Sequence, residues 1–153
     1  MTDMGPTSRT GADTITILRA AVVVGLVLAG VIHLWLGPGH LTVSPILGVG
    51  FLATGLAQAI LAGVLLRRRS RAALVGAIIV SAFGLVAYAV DVTVGLPGAS
   101  HGALHADAAG AAGHGEAIHA GEAASLTVDP GAVAAKLGEA VTLVAALLLY
   151  RRP

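Results

Sequence analysis

Four long stretches of this chain are almost wholly apolar, and polar residues are confined to the connections and to a few isolated positions inside the stretches. They run from about 15 to 36, 45 to 66, 72 to 95 and 132 to 150. As helices rising 1.5 Å per residue, each comes close to or exceeds the ~30 Å of a bilayer's hydrocarbon core. The predicted fold is therefore all-α, an integral membrane bundle of four transmembrane helices. A polar tail, 1–13, is expected to be disordered, and 14–153 forms a single membrane domain. Local signals support these limits. Asp13 or Thr14 can cap the first helix, Trp35 to Gly39 is expected to end it, Pro45 suits the first turn of the second, and the run from Arg67 to Arg71 stops that helix.

Small residues recur inside the stretches at helical spacing. Ala21, Gly25, Ala29 and His33 fall every four residues on the first, Gly55, Ala59 and Gly63 on the second, and Ala73, Ala77 and Ser81 on the third. Such faces let helices approach closely, so Gly25, Ala29, Gly55, Ala59 and Gly63 are expected at helix contacts.

Composition agrees with a membrane location: 56% of the 153 residues are apolar, 11% are charged and the mean hydropathy is +0.89. A soluble domain carries about a quarter charged residues. The net charge of +1 conceals an asymmetry. Arg9, Arg19, Arg67 to Arg69, Arg71, Arg151 and Arg152 all flank the stretches on one side, whereas connections 37–44 and 97–131 hold no Lys or Arg. The positive-inside rule then places both termini in the cytoplasm and those two connections outside the cytoplasmic membrane. The lipid bilayer is the expected partner of the arginines, and nucleic acid is not. Arg19, one turn inside the first helix, is expected to snorkel to headgroups. The absence of cysteine removes disulfides and thiolate metal sites.

Two groups of residues could carry chemistry. The connection 97–131, rich in Ala and Gly, holds His101, His105, His114 and His119 with Asp107, Glu116 and Glu122. Imidazole and carboxylate suit copper(II) or zinc, so these histidines are candidate metal ligands, with His33 and His40 beside them. The spacing matches no closed zinc site, and the loop is expected to be mobile, so adaptable binding is the form this chemistry would take. The second group is a polar membrane cluster, His33, Asp91, Lys136 and Glu139, which topology brings toward the outer half of the bundle. Ionisable residues at membrane depth are costly and mark functional sites, although Lys136 and Glu139, three apart on one helix, can simply satisfy each other. Haem is disfavoured because no second imidazole lies at the depth of His33. Gln58 and Ser81 read as interhelical hydrogen-bonding residues. No phosphate-binding glycine loop, HExxH motif or nucleophile triad is present, so no enzymatic activity is expected.

The run Ile32 to Leu41, with Pro45 to Phe51, Gly95-Leu96-Pro97 and Glu139, resembles a group of small actinobacterial four-helix membrane proteins of unknown function. The histidine-rich connection departs from the shorter Pro/Glu-rich one of that group. The resemblance implies the four-helix fold and the polar cluster, and no activity. Two functions remain open on the sequence: a membrane protein that binds copper or zinc through its outer loop and polar cluster, or a non-catalytic accessory subunit of a larger membrane complex. A membrane-protein partner or a homo-oligomer is compatible with either.

Overall fold

The computed structural model describes residues 7–94 and 130–152, except for the side chains of residues 7–10, 43, 91, 92 and 94. Four helices make up this part: α1 (Thr7–Val43), α2 (Pro45–Arg67), α3 (Arg71–Val94) and α4 (Pro130–Tyr150). No strand occurs among the described residues. All four helices are long and apolar enough to cross a bilayer, so the chain is a multi-pass membrane protein.

The helix limits follow local chemistry. Ser44 stands in extended conformation between α1 and α2, and Pro45, which has no N–H to leave unsatisfied, opens α2. At the other end Arg68 closes α2 in extended conformation, its N–H donating to the Val64 carbonyl at 3.0 Å. Ser70 then starts α3 by accepting the Ala73 N–H on its Oγ at 3.2 Å.

α1 is longer than the expected 15–36 at both ends. It takes in residues 7–13 of the predicted tail, and it runs through Gly37-Pro38-Gly39 instead of stopping there. Proline removes one backbone hydrogen bond inside a helix. Tertiary packing offsets that loss. Gly37 lies flat against Leu52, Gly48 lies against the Leu41 backbone, and the His40 ring stacks on Phe51 at 4.4 Å. The last turns of α1 are thereby held against the first turns of α2.

The helices form a ring in chain order. α1 packs along α2 and α4, and α3 closes the ring against α4 and, more sparsely, α2. Neighbours are antiparallel: Gly30 meets Gly55 while Leu41 meets Gly48, and Ala29 meets Gly138 while Gly25 meets Thr142. The small-residue face of α1 is thus divided between two partners. Gly25 and Ala29 serve α4, and Gly30, adjacent to that face, provides the closest approach to α2. Of the three small residues Gly55, Ala59 and Gly63 on α2, only Gly55 is buried in the contact. Ala59 is largely exposed, and a side chain at Gly63 would meet open space. The four-residue period of α2 drifts off the contact because a straight α-helix turns through more than a full turn in four residues.

Large apolar side chains point outward, including Val24, Val31, Trp35, Ile46, Ile60, Ile79, Phe83 and Leu137. The interior is small or polar. Lipid tails are as apolar as leucine, so a bundle gains little by burying large apolar groups and holds together through close packing and internal hydrogen bonds. One apolar layer does exist. It lies toward the arginine-bearing end and consists of Val22, Val23, Leu26, Ala62, Leu65, Ala73, Ala77, Ala145 and Ala146.

Candidate functional site

Next to the apolar layer, on the side away from the arginines, the interior changes character. His33 of α1, Gln58 of α2, Ser81 of α3 and Glu139 and Thr142 of α4 are all buried there, four of the five completely. The sequence suggested the outer half of the bundle for His33, Asp91, Lys136 and Glu139; along the described helices Glu139 falls near the middle of α4, whereas His33 lies nearer the C-terminal end of α1.

Close backbone approach determines which side chains meet. Gly30 and Gly55 bring α1 onto α2, with the Gly30 carbonyl 3.0 Å from where a Cβ on Gly55 would stand. That contact sets His33 beside Gln58, whose Oε1 accepts from His33 Nδ1 at 3.0 Å. Gln58 Nε2 donates in turn to Glu139 Oε1 at 3.4 Å. On α3, Gly84 supplies the space for the carboxylate, since a Cβ there would overlap Glu139 Oε1. Glu139 Oε2 receives the Lys136 ammonium at 2.7 Å, and the same ammonium donates to the Gly84 carbonyl at 3.1 Å and lies 5.5 Å from the centre of the Tyr88 ring. All four helices therefore contribute to one polar network.

The arrangement of His33 is chemically specific. With Nδ1–H donating to the Gln58 carbonyl, a neutral imidazole turns the lone pair of Nε2 toward Glu139 Oε1, 3.6 Å away. Two Lewis bases thus face each other from different helices, and one of them is oriented by a hydrogen bond behind it. Histidines that bind metals are oriented in this way, through the ring nitrogen that does not carry the metal. Two ligands about 2.1 Å from a tetrahedral zinc ion stand roughly 3.4 Å apart, close to the spacing here. Yet no group of three or more His, Cys, Asp or Glu able to hold a metal exists among the described residues.

Other expected ligands are placed differently. His40 does not join His33: its Nδ1 donates to the Leu36 carbonyl at 2.9 Å, and the Phe51 ring lies between the two imidazoles, 5.3 Å from that of His33. Asp91 belongs to the last turns of α3, but its side chain lies outside the described residues, as do His101, His105, His114 and His119 altogether. Lys136 and Glu139 are brought together as their three-residue spacing suggested. Gly84, Tyr88 and Phe51 were not foreseen. The face of Ala73, Ala77 and Ser81 continues to Gly84 at helical spacing, which is the signal that could have found it.

Ser81 Oγ has no hydrogen-bond partner among the described residues, although it is fully buried. Thr142, nearby in depth, makes only a long 3.5 Å bond to the Val22 carbonyl. The network is therefore fully partnered at Glu139 and less so one turn nearer the apolar layer.

The fold and this site define a multi-pass membrane protein with an ion-paired polar centre. The chain matches no protein-family model, no curated protein and no solved structure.

Proposed function

We propose that this protein binds a divalent cation, copper(II) or zinc, in the cytoplasmic membrane, and that it is not an enzyme. In this reading the loop histidines His101, His105, His114 and His119 capture the ion outside, and the facing pair His33 and Glu139 receives it inside the bundle. The observation that carries the proposal is the opposition of His33 Nε2 to Glu139 Oε1 at 3.6 Å, with Gln58 orienting the imidazole. Two protein ligands leave the remaining positions to water or to a loop histidine, which suits transient holding better than a permanent structural site.

Lys136 has a defined part in this scheme. Its ammonium is a tethered cation that neutralises Glu139, and its side chain is partly exposed, so it can withdraw along the bundle when a divalent ion arrives. Titration of the full chain in detergent with zinc or copper(II) tests the idea. Replacing all four loop histidines with alanine should remove most binding, His33→Ala should remove what persists, and Lys136→Met should bind at least as tightly as wild type because a competing cation has gone. Absence of metal binding in wild type would overturn the proposal.

The alternative, an accessory subunit of a membrane complex, is favoured by the completeness of the Lys136–Glu139 pair, which a purely structural network also requires. It would stand if metal binding fails and a partner co-purifies.

A further inference from the structure

The opposite end of the bundle carries a feature that the polar centre does not use. Arg19, although part of α1, does not simply extend to the membrane surface. Its Nε donates to the Leu65 carbonyl at 2.8 Å, and its Nη2 to the carbonyls of Leu65 and Leu66, so it caps the end of α2. Both Nη1 donors remain without a protein partner among the described residues. Beside this guanidinium a groove of roughly 350 Å³ runs between α1 and α2, lined by Thr16, Arg19, Ala20, Val23, Val24 and Leu66. Its wall is apolar apart from Arg19 and Thr16, and the Thr16 hydroxyl is already committed to the Ala12 carbonyl at 3.0 Å.

The same end holds a concentration of positive charge. Arg67, Arg68, Arg69, Arg71, Arg151 and Arg152 are all exposed there, and Asp13 is the one acidic side chain described at this end. An apolar groove within the span is filled by hydrocarbon, and a guanidinium at its head, next to further arginines, selects a negatively charged head group. We infer that this groove is a binding site for one anionic phospholipid, with an acyl chain against Ala20, Val23, Val24 and Leu66 and the phosphodiester at Arg19, Arg67 and Arg68. Basic pockets between membrane helices recognise anionic lipids through this pairing of charge with an apolar slot. The site is independent of the metal proposal and of which leaflet the arginines face.

The test is native mass spectrometry of the full chain in detergent with phosphatidylglycerol, with phosphatidylcholine of the same chains, and with glycerol phosphate. Phosphatidylglycerol should be retained preferentially. Arg19→Gln also removes the cap on α2, so two gentler variants carry the test. Arg67→Gln with Arg68→Gln should weaken phosphatidylglycerol retention about thirtyfold, at roughly fivefold for each arginine near the surface. Ala20→Phe, which fills the groove and leaves every arginine in place, should weaken it too. Equal retention of the two lipids would overturn the proposal. So would retention unaffected by Ala20→Phe, or glycerol phosphate bound as tightly as the lipid, since either result would reduce the site to surface charge alone.

Discussion

The apolar layer and the polar layer of this bundle are built by the same four helices, a turn or two apart, and they hold those helices together in different ways. In the apolar layer Val22, Leu26, Leu65 and the alanines of α3 and α4 fill space. Such contacts tolerate a small rotation or slide of one helix, because dispersion has no preferred direction. In the polar layer His33, Gln58, Lys136 and Glu139 must meet at hydrogen-bond distance, so only one register of α1, α2 and α4 satisfies them. The first layer supplies cohesion and the second supplies specificity, and the chemistry lies where the constraint is directional.

The largest effect should come from parting the backbones on which both layers depend. A Cβ on Gly25 already overlaps Thr142 Oγ1 and lies 2.6 Å from the Gly138 carbonyl. Gly25→Leu should therefore separate α1 from α4 at a cost of about 3 kcal/mol or more. Gly63→Leu, aimed into open space, should stay within about 0.5 kcal/mol. Thermal unfolding in detergent distinguishes them, and equal melting would mean that the α1–α4 contact is not close in solution.

Next in size is removal of charge from the polar layer. Lys136→Met leaves the fully buried Glu139 without its cation, and breaking such a pair costs on the order of 3 kcal/mol, reduced here because Lys136 is partly exposed. Adding Glu139→Gln should recover most of the loss, since the second change removes the uncompensated charge. A double variant no more stable than the single one would show that the carboxylate is not held as an ion pair.

In the apolar layer, Leu26→Ala should cost about 2 kcal/mol through the cavity that it leaves. No single polar substitution nearby should restore it, because the loss is one of volume and not of charge. A combined variant of Leu26→Ala in the apolar layer and Lys136→Met in the polar layer should lose the sum of the two effects if the layers act independently. A departure from additivity larger than about 0.5 kcal/mol would mean that the two layers are coupled.

Much of the architecture was legible in the chain. The lengths of the apolar stretches fixed four membrane helices, and the three-residue spacing of Lys136 and Glu139 made their pairing a local matter that needed no fold. Gly25 and Gly55 were readable as contact positions, since glycine recurring among apolar residues at helical spacing lets a neighbouring helix approach closely. Gly63 carried the same signal and faces open space. A small-residue period shows that a close approach is possible, and only the partner's position shows where along the helix it occurs.

What the sequence alone determined is what depends on short range or on transfer energy: the membrane location, the helices, and the charge asymmetry of their ends. What only the tertiary structure decided is how those parts are combined. Arg19 caps α2 from 46 residues away, and Gln58 bridges His33 and Glu139 across separations of 25 and 81 residues. The crossing of Gly30 with Gly55 rotates α1 so that His33 meets Gln58, and Phe51 comes between His33 and His40, which the chain lists only seven positions apart. Helical periodicity specifies a face, whereas rotation and register depend on every neighbour at once, and no one stretch of sequence contains them.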